Sequence, residues 1–180
     1  MTSVARIRLM RLQIPLKAPY RLSFRPVEHF DTILVECQSG EGRTGLGEAT
    51  VLTGYTEETI GDSWRAAGEI AARIAGLDAQ AARRALDQLA KGRPFTATAF
   101  ITAIEMIESS DYLRSERERA VPLLAGINAS GEEAVREEFE HLYGEGYRTF
   151  KVKVGFEMEK DLAHVRAVQT LARGRAKIRI

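Results

Sequence analysis

From residue 120 onward the chain alternates strand and helix patterns, and this repetition constrains the fold more than any other feature. Strands are predicted to start near residues 121, 149 and 177, so the repeat is ~28 residues long, close to the roughly thirty residues of a strand–helix–strand unit. Successive strands joined by helices run in the same direction, with right-handed crossovers. The sequence therefore predicts a parallel sheet in this part of the chain.

The second of these strands has the pattern Phe-Lys-Val-Lys-Val-Gly over residues 150–155. Alternate residues of a strand point to opposite faces, so Lys151 and Lys153 share one face and their apolar neighbours share the other. Two ammonium groups this close disfavour each other's charge, and if they also lose water the pKa of one or both should fall. A lysine that is neutral near pH 7 can act as a general base. The simpler alternative is a solvated lysine face on an ordinary strand.

The first part of the chain predicts a different sheet. Strand patterns cover residues 4–16, 30–38 and 44–50, and Ser-Gly-Glu-Gly at residues 39–42 is typical of a hairpin turn. Residues 17–29 have no clean period and are predicted to form a loop, which either covers a ligand or packs beneath the fold. These patterns together predict a three-stranded antiparallel meander.

Helices are predicted to follow the meander and to occupy the intervals of the repeat. The first starts near Thr56, the second is capped by Asp78, and the third covers residues 95–113. Ser130 is expected to cap the first helix of the repeat. The fold class predicted for the whole chain is therefore an α+β unit followed by a parallel strand–helix repeat.

Composition gives little support to several classes of partner. The formal net charge is +1 and the hydrophobic content is 44%, so neither nucleic acid nor a membrane is indicated. The single cysteine, Cys37, cannot form an internal disulfide, which fits a cytoplasmic location. Only basic charged residues precede Glu28, as in a transit peptide, but the strand spacing of the apolar residues favours a strand with a basic face.

Three segments, in this order, resemble the enolase superfamily, in the muconate-lactonizing branch of the mandelate racemase group. Residues 44–49, Thr-Gly-Leu-Gly-Glu-Ala, are similar to the family's G-x-G-E-A motif. Residues 150–155 are similar to its K-x-K strand, and residues 177–180 to the start of the strand that ends in a metal-binding aspartate. Residues 119–122, Arg-Ala-Val-Pro, depart from the leucine-leucine-glycine-glycine turn of many members, which leaves the subfamily open.

The resemblance implies two domains. Residues 1–119 would form the α+β capping domain, with its three-stranded meander and helices, and residues 120–180 would begin a TIM-like (β/α) barrel. A closed barrel of this kind needs on the order of 250 residues. We therefore expect the chain to be the N-terminal part of a longer enzyme, truncated after the third barrel strand begins.

The chemistry implied by the resemblance is abstraction of a proton alpha to a carboxylate, with Mg²⁺ stabilising the resulting enediolate. Lys153 matches the family's acid/base lysine, and Lys151 matches the lysine beside it. The activity would be that of an isomerase or lyase: a racemase or epimerase, a cycloisomerase, or a dehydrating synthase acting on a small carboxylate. The metal ligands would lie beyond Ile180, and homo-oligomers are a habit of the family.

The resemblance also suggests substrate contacts, although simple packing is an alternative role for each. Residues 17–29 correspond to a mobile covering loop, residues 51–55 to a second one, and the end of the first barrel strand lies where barrel sites are found. The candidates are Tyr20, Phe24, Arg25, His29, Tyr55 and Asn128. The competing hypothesis is that the 180-residue piece is a catalytically inactive fragment or a small-molecule binding module.

Overall fold

The first sheet is the antiparallel meander that the sequence predicts. The computed structural model describes residues 2–22 and 26–180. Its first three strands are β1 (Val4–Arg21), β2 (Pro26–Ser39) and β3 (Thr44–Thr50), in the order β1-β2-β3. Both neighbouring pairs are antiparallel, which confirms the predicted meander.

The predicted loop over residues 17–29 was wrong, because most of it is strand. β1 continues to Arg21 and β2 begins at Pro26, with Tyr20 paired to Val27. The pairing of β2 with β3 runs only from Thr32 onward, so the far part of the hairpin is a two-stranded ribbon. Burial does not alternate along residues 26–31 of this ribbon, so the sequence there lacks the period that identifies a strand.

Helices α1 (Ile60–Ile74) and α3 (Pro94–Glu108) cover one face of this sheet, and α2 (Ala79–Leu89) packs against both of them. The core between them and the sheet includes Ile33 and Val35 of β2 and Phe100 of α3, all with no exposed side-chain surface. Asp78 caps α2 as predicted, because its Oδ1 accepts a 2.8 Å hydrogen bond from the backbone N–H of Ala81.

Two glycines of β3 allow α3 to lie directly against the strand. A Cβ atom at Gly45 would lie 2.1 Å from the carbonyl oxygen of Ala103, and one at Gly47 would lie 1.7 Å from that of Ala99. Any side chain at either position would therefore overlap the helix backbone. This contact explains both glycines of the motif at residues 44–49.

Two helix ends differ from the sequence prediction. α1 begins at Ile60, with Thr59 rather than Thr56 at its N-cap. The preceding acid, Glu58, is buried, and its carboxylate accepts hydrogen bonds from the start of α3, including the N–H groups of Phe95 at 2.7 Å and Thr96 at 3.2 Å. α3 ends at Glu108 rather than at residue 113, because the next residue, Ser109, has a left-handed φ of 57°.

The chain divides into two compact units, residues 1–116 and residues 117–180. The second unit is a parallel sheet in the order β4-β5-β6, with a helix between each pair of strands. This confirms the predicted parallel repeat. Its elements are β4 (Ala125–Ile127), α4 (Glu132–Gly144), β5 (Thr149–Val152), α5 (Met158–Ala172) and β6 (Lys177–Arg179).

Three local predictions in the second unit were wrong. β4 begins at Ala125 rather than near residue 121, and the exposed segment before it contains Pro122, which has no N–H to give to a strand ladder. α4 has Gly131 at its N-cap without a side-chain cap, so Ser130 does not have the expected role. The β5 ladder ends at Val152, although the alternating pattern continues to Val154.

Helices α4 and α5 bury one face of the second sheet. Phe139 of α4 lies against Phe150 of β5, with ring centroids 4.5 Å apart, and Val152 and Val168 are buried beside them. Arg175, just before β6, makes two 2.8 Å hydrogen bonds to the carboxylate of Glu140, which lower the pKa of that carboxyl. No helix among residues 2–22 and 26–180 combines the length and apolarity that a bilayer span requires.

Candidate active site

The predicted lysine face lies opposite the buried face of the second sheet. Lys151 is exposed, whereas its strand neighbours Phe150 and Val152 are buried against the helices. The parallel register pairs Lys151 with Gly126 of β4 on one side and with Arg179 of β6 on the other. Residues paired across a ladder project to the same face, so Lys151 shares its face with a second cation and with a position that has no side chain.

Lys153 and Asn128 lie at the carboxyl edge of this sheet. Ile127 and Val152 form the last pair between β4 and β5. Asn128 and Lys153 each follow this pair by one residue. Lys153 is half-buried and Asn128 is exposed. Active sites of parallel (β/α) folds lie at this edge, so the structure brings together three of the predicted site residues.

Two carboxylates hold the backbone immediately after these strands. Oε2 of Glu138, on α4, accepts hydrogen bonds from the N–H groups of Asn128 and Ala129, both at 2.8 Å. Oδ2 of Asp161, on α5, accepts from Gly155 at 2.8 Å and Phe156 at 3.0 Å. Each strand–helix unit therefore uses an acid of its helix to fix the turn at the end of its strand.

Sequence reasoning missed both of these acids. Asp161 follows Glu157 and Glu159 near the start of a helix, where acids are common because they interact favourably with the helix dipole. Glu138 lies among other acids of α4. Only their positions could have indicated a contact with the strand end, because Asp161 lies in the first turn of α5 and Glu138 in the second turn of α4.

The first unit has a cleft where two of the predicted substrate-contacting segments meet. Its volume is about 290 Å³, and it is lined by residues 26–31 of β2 and 51–53 after β3. The backbone N–H of Val51 donates a 2.9 Å hydrogen bond to the carbonyl of Asp31, which joins the two segments. His29 lines this cleft, with its Nε2 atom 3.6 Å from Oδ2 of Asp31.

The other substrate-contact candidates lie at different positions. Tyr20 is half-buried and pairs with Val27, so it lies on the strand next to the cleft-lining segment. Tyr55 is 70% exposed and is not among the residues that line the cleft. Phe24 and Arg25 lie outside the described residues.

The fit of these residues to a metal ion can be judged from the donor set. Within residues 2–22 and 26–180, no group of three or more His, Cys, Asp or Glu side chains is arranged to hold one. The two acids at the carboxyl edge, Glu138 and Asp161, already accept backbone hydrogen bonds. The described part of the chain does not fit a magnesium site by itself, and we assign no ligand in it.

A comparison with known families decides the relationship. Residues 5–109 match the family described as "Mandelate racemase / muconate lactonizing enzyme, N-terminal domain". The match covers more than half of the chain. The chain belongs to the mandelate racemase / muconate lactonizing enzyme family. The α+β capping fold that the sequence predicts for the first unit is confirmed.

Relatives of this family align with both units of the chain. The L-Lys-D/L-Arg epimerase of Methylococcus capsulatus is 29% identical over 98% of this chain and 52% of its own length. Muconate cycloisomerase 1 of Pseudomonas putida is 27% identical over 92% of this chain and 48% of its own length. The chain therefore spans about half the length of the curated relatives it matches.

A solved structure shows the same fold across both units. The dipeptide epimerase from Methylococcus capsulatus, complexed with Mg and the dipeptide L-Arg-D-Lys, has a TM-score of 0.85 and 24% identity, and the match covers 98% of this chain and 52% of that one. The relatives are thus epimerases and a cycloisomerase of the enolase superfamily, which supports the general class that the sequence predicts.

Proposed function

We propose that a protein of full family length carrying this chain is an isomerase or lyase that moves the proton alpha to a carboxylate. The observation that carries this proposal is the pair of Lys151, exposed on β5 opposite its buried face, and Lys153, half-buried one residue beyond the end of that strand. The epimerases and the cycloisomerase among the relatives support the class.

In this proposal Lys153 abstracts the proton from the α-carbon. A proton alpha to a carboxylate is very weakly acidic, so positive charge must offset the negative charge that develops as the proton leaves. Lys151 and Arg179, which are paired on one face, would supply part of that charge. Lys153 and Lys151 are therefore proposed as catalytic residues of the complete enzyme.

We further propose that the complete enzyme uses Mg²⁺. The support is the relative from Methylococcus capsulatus that was crystallised with Mg and a dipeptide. A bound divalent cation would stabilise negative charge on the substrate carboxylate. The ligands would come from outside the described residues of this chain.

The substrate class we propose is a small carboxylate, and a dipeptide is the first compound to test because two curated relatives are named for epimerisation of amino acids or dipeptides. Contacts to it are proposed on the strength of the family resemblance. The residues are Tyr20, Phe24, Arg25, His29, Tyr55 and Asn128.

Exchange of the α-proton with solvent tests the reaction. The full-length enzyme, incubated in D₂O with Mg²⁺ and a panel of dipeptides, should incorporate deuterium at the α-carbon, and Lys153→Ala should abolish incorporation. Lys160→Ala is the matched control, because Lys160 is an exposed lysine of α5 that pairs with Glu157 at 2.8 Å. Undiminished exchange by Lys153→Ala would show that the assignment is wrong.

The cleft in the first unit favours a second candidate function, a small-molecule binding module without catalysis. Its volume of about 290 Å³ is close to the lower limit of the range for small-ligand pockets. Calorimetric titration of the 180-residue chain with the dipeptide panel in the absence of Mg²⁺ tests this candidate, because the catalytic proposal needs metal ligands from outside the described residues. Saturable binding that is weakened by His29→Ala would support the binding module, and no binding would rule it out.

A further inference from the structure

We infer that Asp161 is a positioning residue for Lys153, and this inference rests on the function proposed above. Oδ2 of Asp161 accepts hydrogen bonds from the backbone N–H groups of Gly155 at 2.8 Å and Phe156 at 3.0 Å. These two residues end the short segment that starts at Lys153. The carboxylate therefore holds the backbone two residues beyond the proposed base.

Lys153 needs such support because it lies beyond the strand ladder. Its neighbour Val152 is the last residue of β5, where it pairs with Ile127. At Gly155 the backbone enters the left-handed region with a φ of 104°, so the chain turns sharply there. The orientation of Lys153 is thus set between the end of a ladder on one side and a turn held by Asp161 on the other.

The support reaches back to the buried core of the unit. Asp161 lies in the first turn of α5, and α5 packs on the sheet through Val165 and Val168. A carboxylate that accepts two N–H groups makes charge-assisted hydrogen bonds, which are stronger than neutral ones. The packed helix therefore holds the turn through Asp161, and the turn holds the backbone next to Lys153. A catalytic group requires support of this kind.

The same arrangement occurs at the end of the preceding strand. There Glu138 of α4 accepts from Asn128 and Ala129. Glu138 lies further into its helix than Asp161 does, so the recurrence is not a consequence of a shared helix-capping position. What the two acids share is the strand end that they hold, at the edge where the proposed site residues lie.

Substitutions in the full-length enzyme test the inference. Asp161→Ala should lower kcat for α-proton exchange roughly 10- to 100-fold, since small displacements of a reacting group have effects of this size, while KM changes little. Asp161→Asn, which keeps one acceptor oxygen, should recover part of the loss. Glu140→Ala is the matched control, because Glu140 belongs to α4 and binds Arg175 at 2.8 Å, just before the start of β6 rather than at the carboxyl ends of the strands. It should lower thermal stability without lowering kcat.

Two results would overturn the inference, and they are distinguishable. If Lys153→Ala abolishes exchange but Asp161→Ala loses no more kcat than Glu140→Ala, Asp161 has only a structural role and the proposed function stands. If Lys153→Ala retains exchange, the proposed function fails and the inference fails with it. Should Asp161→Ala not fold, the same measurements on Asp161→Asn decide between these results.

Discussion

The two sheets of this protein place charge on their open faces in opposite ways. In the antiparallel sheet, Arg8 pairs with Glu36 across β1 and β2, and their charged groups lie 3.6 Å apart. In the parallel sheet, Lys151 pairs with Arg179 across β5 and β6. Opposite charges across a ladder stabilise a sheet and like charges destabilise it. The first arrangement serves stability, whereas the second is what a site that needs positive charge would retain.

The covered faces differ as well. The first sheet has glycines at the helix contact, so that α3 approaches β3 backbone to backbone, and its buried acid Glu58 is satisfied by donors from α1 and α3. The second sheet is covered by larger side chains such as Phe139 and Phe150. The pairing of the like charges Lys151 and Arg179 breaks a local rule of sheet stability, and such exceptions are expected at functional sites.

The largest effect is expected where the first sheet meets its helix. Gly47→Ala would place a Cβ 1.7 Å from the carbonyl oxygen of Ala99, and overpacking of this kind costs about 3 kcal/mol. Chemical denaturation of the chain measures the loss. Gly68→Ala is the matched control, because nothing lies within 4 Å of a Cβ at this helical position, and it should be neutral or stabilising. Equal stability of the two variants would contradict the close contact of α3 and β3.

A pH dependence is expected from the covered face of the first sheet. Burial raises the pKa of the Cys37 thiol from 9.0 to about 11, with a smaller contribution from Glu36. The unfolded chain therefore loses this proton at a lower pH than the folded chain. The contribution to stability is intact below pH 9 and is lost as the pH rises toward 11, by on the order of 1 kcal/mol at pH 10.

Unfolding measured at pH 8 and pH 10 tests this expectation, with Cys37→Ala as the control. The variant should be less stable than the parent at pH 8 because it loses buried volume. Its own decrease between the two pH values should be smaller than that of the parent. A decrease of the same size in both proteins would show that Cys37 is not responsible.

The smallest effects concern the open faces, where charge reversal should act in opposite directions. Arg179→Glu places an acid opposite Lys151 and should stabilise the chain by about 0.5 kcal/mol, while lowering the activity of the full-length enzyme. Arg8→Glu places an acid opposite Glu36 and should destabilise the chain by a similar amount. Thermal unfolding of both variants at low and high salt measures the effects. Changes of the same sign would remove the contrast between the two sheets.

Much of the fold could be predicted from local patterns. The bounds of β3, the cap at Asp78 and the parallel order of β4, β5 and β6 agree with the sequence prediction. The first two depend on a few neighbouring residues, an alternation and a capping side chain, and the third depends on the repeat of strand and helix patterns along the chain. The two-stranded end of the β1–β2 hairpin could not be predicted, because burial does not alternate along it: Val27 is buried, but His29 is exposed and Phe30 and Asp31 are both half-buried.

In the candidate site, too, the local sequence pattern determined some features and the tertiary structure decided the others. The alternation at residues 150–154 alone determined that Lys151 is opposite the buried Phe150 and Val152, because the period of a strand is a local property. Only the tertiary structure decided which groups meet that face: register placed Arg179 beside Lys151, and the packing of α5 placed Asp161 on the turn after Lys153. These contacts join residues from different elements, and the register and helix packing that create them depend on the whole core rather than on any single segment.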